Sequence, residues 1–172
     1  VNSQKYFRLL APSPESFANL FQELNNSFRE TVCIFLSSGL SQCFSNACLA
    51  LESQRSNSIH LIDSQTTSIG LGILVQTAAE AATQGKSAIE IDSLIRSMIP
   101  KIYAVFSISG LSYLYFNGFI DKAQAFVSEM LGLFTIFSLE EGRLNPVGKV
   151  RNHRHIIDFF QEFMDEFDHL QH

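Results

Sequence analysis

TVCIFLSSGLSQCFSN, Thr31 to Asn46, is the stretch on which the fold turns. Thr31–Leu36 has no polar alternation, the pattern of a parallel strand covered on both faces. Ser37-Ser38-Gly39-Leu40-Ser41 then interrupts the run with small and hydroxylic residues, and Phe44, Ala47, Cys48 and Leu51 recur at helical spacing, which predicts a helix over Ser41–Ser53. A strand that ends in such a turn and opens a helix gathers free backbone N–H groups and hydroxyls at one point, where a carboxylate or phosphate can be held without a lysine. Two readings of the turn stand side by side. In one it cradles an anion at the carboxyl end of a parallel strand, where open α/β sheets place their ligands. In the other Ser41 caps its helix while Ser37 and Ser38 satisfy local backbone groups.

The same alternation extends outward in both directions. Upstream, Ser13-Pro14-Glu15 reads as a helix start, followed by Phe17, Leu20, Phe21, Leu24 and Phe28 on one face. Downstream, Ser58–Asp63 is a second short buried strand, and Thr67–Ala82 is a long helix carrying Gly70 and Gly72 and ended by Gly85. Ser87 with Glu90 forms a capping box for a helix that Pro100 closes, and Ile102–Ser107 reads as a third strand. Strands alternating with helices imply an α/β fold, a parallel sheet with flanking helices, over residues 1–108.

After Ser107 the pattern changes. Short helices are expected near Ser109–Asn117 and Asp121–Leu131, then a β-hairpin of Leu133–Leu139 and Leu144–Val150 about a turn at Glu140–Arg143. Pro146 makes the second strand an edge strand. An amphipathic C-terminal helix, Asn152–Leu170, sets Ile156, Phe160, Phe163 and Phe167 against Asp158, Glu162, Asp165 and Asp168. Residues 109–172 therefore read as a smaller, partial α+β lobe.

Composition narrows the function classes. Of 172 residues 46% are hydrophobic and 17% charged, enough apolar surface for a packed core, and 16 phenylalanines without a tryptophan suit either that core or an apolar cavity wall. The net charge of -5 argues against nucleic acid as a partner, since such binding neutralises phosphates with clustered cations. Cys33, Cys43 and Cys48 have no metal-ligand spacing and read as reduced thiols. The two long uncharged runs are interrupted by Ser-Gly turns, so an integral membrane protein is not expected. The N-terminal residues show no apolar signal region, which points to a cytoplasmic location, and a first residue other than Met suits a fragment or a processed chain. No nucleophile elbow occurs and Gly70-Leu71-Gly72 lacks the third glycine of a dinucleotide turn, so neither an enzyme nor a cofactor site is expected. Asp63 is expected to hold the neighbouring turn or cap a helix. Lys149–His155 is the one basic cluster, and it reads either as a solvated strand end or as a docking surface for an acidic partner.

Several segments, in order, carry a resemblance. They are Ala11–Phe17 (APSPESF), Leu36–Ser41 (LSSGLS), Ile62-Asp63-Ser64, Ser68–Gly72 (SIGLG), Asn117–Ile120 (NGFI) with Ala123, and Pro146–Arg151 (PVGKVR). The chain resembles the DegV family of bacterial fatty-acid-binding proteins, which includes the acyl-carrying subunit of fatty acid kinase. The resemblance implies a non-enzymatic carrier that buries a long-chain fatty acid in an apolar groove between two lobes. Ser37, Ser38, Gly39, Ser41 and Ser64 would hold the carboxylate, and Lys149 and Arg151 would meet a fatty acid kinase partner. The chain departs from the family pattern at Leu9-Leu10-Ala11, at Cys43-Phe44 and at Phe119, where the family commonly has hydroxyls and an arginine. Those departures leave a second reading open: a DegV-like interaction module that binds no lipid and forms a homodimer through Phe159, Phe160, Phe163 and Phe167.

Overall fold

Two groups of buried side chains, one on each face of a pair of parallel strands, organise the first part of the chain. In the computed structural model, which describes residues 7–54 and 58–167, β1 (Thr31–Phe35) pairs in parallel with β2 (Ile59–Asp63), Cys33 lying opposite Leu61 and Ile34 opposite Ile62. The crossover between them is α2 (Cys43–Gln54), and α1 (Pro14–Ser27) precedes β1. Because successive strand side chains face opposite ways, Cys33, Phe35, Ile59 and Leu61 pack with Phe17, Phe21, Ala47 and Ala50 of α1 and α2. Val32, Ile34 and Ile62 pack on the other face with α3 (Ser68–Thr83) and α4 (Ala88–Met98), through Leu74, Ala78, Ala81, Ile91 and Ile95. The result is a helix–sheet–helix sandwich. Phe21, Ile62, Leu74 and Ile95 are withdrawn from solvent, and such side chains are worth roughly 1.5–3 kcal/mol each.

The local signals behave as their chemistry requires. The Ser13 hydroxyl accepts from the Ser16 N–H with Pro14 at the first helical position, and both halves of the Ser87–Glu90 capping box are made. The capping hydrogen bonds hold the Glu90 carboxyl below its usual range. Beyond α4 a single 3₁₀ turn, Ile99–Lys101, contains Pro100.

The sheet differs from the sequence expectation in two respects. The third strand, β3 (Ala104–Ile108), does not continue the parallel pair. It joins a separate three-stranded sheet ordered β3-β4-β5, with β4 at Phe134–Glu140 and β5 at Arg143–Val150. Its apolar run suits either sheet, and the choice depends on partners distant in sequence. Moreover, all five residues of β1 are only half-buried: among the described residues the strand pairs with β2 alone, and it borders a cavity of about 580 Å³ lined by Val32, Ile34, Val75, Ala78 and Ile91.

The second sheet is accompanied by α5 (Ser112–Phe116), α6 (Lys122–Met130) and α7 (His153–Asp165). β5, with Pro146, is an edge strand of this sheet. Leu111, Ala125, Ile136 and Phe137 are buried, Phe137 stacking on Phe106 at 6.2 Å between ring centres. α7 is capped by Asn152 and ends at Asp165, short of the expected Leu170, and no residue within it is fully buried. Asp168 and Leu170 lie outside the described residues.

By compactness the chain divides into two units that do not follow one cut in the sequence. Leu10–Ala104 is joined by Leu139–Leu144, the tip of the β4–β5 hairpin, and the other unit holds Val105–Ser138 and the chain from Asn145 onward.

Candidate functional site

The corner where β1 gives way to α2 is built from three loops of the first unit. Ser64 N–H donates to the Phe35 carbonyl at 3.1 Å and Ser37 N–H to the Thr66 carbonyl at 3.0 Å, so the turns after β1 and β2 remain zipped beyond the last paired residues. The third loop is the hairpin tip. Glu141 and Gly142 form its two-residue turn with φ of 50° and 77°, both in the left-handed region that a two-residue hairpin of the primed type demands. The Ser37 hydroxyl donates to the Gly142 carbonyl at 2.6 Å across 105 residues of sequence.

Close approach makes glycine necessary at two of these positions. A Cβ on Gly39 would lie 2.3 Å from the Gly142 carbonyl oxygen, and one on Gly142 would lie 2.5 Å from the Ser37 hydroxyl. The Gly39 Cβ position is also 3.3 Å from Cγ of Arg143, so the stem of that arginine leaves the hairpin directly over the turn.

The hydroxyls named from sequence are placed together but used differently. Ser37 and Ser64 are fully buried. Besides donating to Gly142, the Ser37 oxygen accepts from the Gly39 N–H at 3.2 Å. Ser64 accepts from the Thr66 N–H at 3.2 Å and donates to the Thr66 carbonyl at 3.1 Å, closing a local turn. Ser38 and Gly39 are exposed and Ser41 is half-buried. The Ser38 hydroxyl donates to Asp63 at 2.5 Å and its N–H to the other carboxylate oxygen at 3.0 Å, an oxygen that also accepts from the Gln65 N–H at 3.1 Å. Asp63 thus holds the neighbouring turn, one of the two roles expected of it. Ser41, two residues before α2, accepts from the Cys43 N–H at 3.2 Å in a local turn, so Gln42 and not Ser41 stands at the cap position. The Ser41 proton rests on Cys43 Sγ at 3.1 Å, a weak acceptor that a carboxylate would displace readily. The first-turn N–H groups of Phe44 and Ser45 have no acceptor within the helix, as at any helix start.

Lys149 and Arg151 are exposed at the end of β5. Lys149 borders a second cavity, about 280 Å³, walled by Leu111, Ile120, Phe137 and Val147 with the buried hydroxyls of Ser128 and Thr135. Among the described residues no cluster of His, Cys, Asp or Glu is arranged to hold a metal ion. All three cysteines are free, and burial pushes the Cys33 and Cys48 thiols up. No helix among the described residues is long and apolar enough to cross a membrane.

Sequence reasoning passed over the hairpin tip as part of the site. Glu141-Gly142 signals a tight turn, but nothing local tells where that turn docks.

Comparison with known proteins places the chain in a group. The DegV family profile, described as uncharacterised protein, DegV family, matches residues 4–171. A DegV domain-containing protein of Caldanaerobacter subterraneus is 32% identical over 173 residues, covering 95% of this chain and 62% of that protein. Among solved structures, a fatty-acid-binding DegV family protein from Thermus thermophilus superposes with a TM-score of 0.75 at 28% identity, covering 90% of this chain and 56% of the other. The Streptococcus pneumoniae fatty acid kinase B3 protein, loaded with linoleic acid, shares the fold with a TM-score of 0.80 at 21% identity, covering 95% and 58%. The chain spans about three fifths of the length of the relatives it matches. With the profile running almost end to end and the parallel α/β architecture in common, the chain belongs to the DegV family.

Proposed function

We propose that this chain is a fatty-acid carrier rather than an enzyme, presenting the carboxylate of a long-chain fatty acid at the Ser38–Ser41 turn. The observation that carries the reading is the turn itself: exposed Ser38 and Gly39, a readily redirected Ser41 hydroxyl and the α2 N-terminus meet at the carboxyl end of a parallel strand, in a family with a fatty-acid-binding relative of the same fold. Such a point supplies donors and a favourable dipole to an anion. Ser37 and Ser64 act beneath it, fixing the turn through Gly142 and Thr66. The tail supplies the affinity, at about 0.8 kcal/mol per buried CH₂, while the polar end sets orientation.

The exposed Lys149 and Arg151 are proposed as the contact for a kinase partner acting on the acyl carboxylate, in a cytoplasmic setting. Native mass spectrometry and organic extraction of the purified protein test the central claim, with a bound acyl chain as the expected result. A lipid-free preparation whose melting temperature ignores added oleate would overturn it.

One observation favours the second reading, a dimerising module. α7 carries an apolar stripe of Ile156, Phe160 and Phe163, yet none of its residues is fully buried. A lipid-free chain that sediments as a stable dimer, with Phe163→Asp returning it to monomer, would establish that reading instead.

A further inference from the structure

We propose that Arg143, at the hairpin tip, is the cation that neutralises the ligand carboxylate at the Ser38–Ser41 turn. The inference rests on the carrier reading above and adds a residue that the serine-rich turn alone does not suggest. It begins from a charge problem. Asp63 already places a carboxylate at this corner, held by the Ser38 hydroxyl and by the N–H groups of Ser38 and Gln65. A second carboxylate arriving at Ser38 meets a like charge a few ångströms away, and the donors nearest to it are partly committed. Helix-terminal N–H groups offset only part of that repulsion, so a full positive charge within reach would strengthen the hold on a carboxylate.

Arg143 is placed to supply that charge. Its Cγ packs over Gly39, in the same compact unit as the turn, with the rest of its flexible side chain still to extend from that point. The residue is exposed, and among the described residues no ion pair engages it. The anchor is firm. Gly142, the residue before it, is pinned by the Ser37 hydroxyl, and Gly39 leaves no space for the hairpin tip to move closer. A guanidinium offers two parallel donors to a carboxylate, which suits an anion that must be oriented as well as attracted.

The test compares charged and uncharged ligands of equal chain length. Affinities for oleate and for oleyl alcohol are measured on the wild type, Arg143→Gln and Arg143→Lys, with melting temperature as a check on folding. Arg143→Gln is expected to weaken oleate by roughly tenfold to a hundredfold, the range of a charge-assisted hydrogen bond, and to leave the alcohol within about twofold. Arg143→Lys should recover part of the loss. Raised salt should weaken oleate binding to the wild type more than to Arg143→Gln. If Arg143→Gln leaves oleate unchanged, or weakens acid and alcohol equally, the assignment of Arg143 falls while the carrier reading stands. If the wild type binds neither ligand, the carrier reading falls and takes this assignment with it.

Discussion

The corner after β1 and the corner after β2 look alike in sequence, SSGLS against SQTTS, and the structure commits their hydroxyls to different partners. Both follow the ends of paired parallel strands, and both are rich in hydroxyls. After β2 the two hydroxyls nearest the strand turn inward: Ser64 and Thr66 are buried and Ser64 bonds its own loop, whereas Thr67 is half-buried and Ser68 exposed, and Gln65 and Ser68 adopt φ of 51° to close the bend. After β1, Ser37 does the same inward work, but Ser38, Gly39 and Ser41 remain in reach of solvent. Composition therefore does not distinguish a binding turn from a structural one. What separates them is which donors face out, and that is set by Asp63 from one side and the hairpin tip from the other.

Substitutions at the two corners sharpen the contrast. The largest effect is expected for Gly39→Ala, whose added methyl meets the Gly142 carbonyl oxygen at 2.3 Å, a backbone atom that cannot swing aside. Such a clash destabilises by about 3 kcal/mol in urea denaturation, and the displaced hairpin carries Arg143 away from the turn. Ser37→Ala is expected to lose about 2 kcal/mol, because it strips the Gly142 carbonyl and the Gly39 N–H of partners at once. Ser64→Ala should lose about 1.5 kcal/mol, since it strips the buried Thr66 N–H of its partner while the Thr66 carbonyl it releases still accepts from Ser37. Were Ser64→Ala the more damaging of the two hydroxyl deletions, the ranking of the corners would be reversed. The smallest effect has the opposite sign. Gly72 lies in α3 with no atom within 4 Å of a would-be Cβ, so Gly72→Ala should stabilise by roughly 0.5–1 kcal/mol. A loss there would mean that the helix needs its glycine for an approach that the structure does not contain.

Much of the architecture was legible because its causes are local. The N-cap serine with Pro14, the Ser87–Glu90 box and Gly85 at φ 81° after α3 each act within one turn of chain. The apolar runs of β1 and β2 and the apolar faces of α1 and α2 followed from periodicity alone. The placement of Ile102–Ser107 failed for the complementary reason. An apolar run announces a strand but not its neighbour, and β3 pairs in the second sheet with β4, some thirty residues further on.

For the site, the amino-acid order determined that hydroxyls and a helix start would coincide at Ser37–Ser41, since strand, turn and cap are contiguous there. It also supplied the family resemblance that gives the turn a ligand to consider. Only the folded chain decided which of those hydroxyls look inward, that Asp63 occupies one side of the turn, and that Gly142 and Arg143 close on it from 105 residues away. The division has a plain physical origin. Caps and periodic faces are energies between near neighbours and leave their mark in short stretches of sequence, whereas the fit of one loop on another depends on the packing of the helices and strands between them.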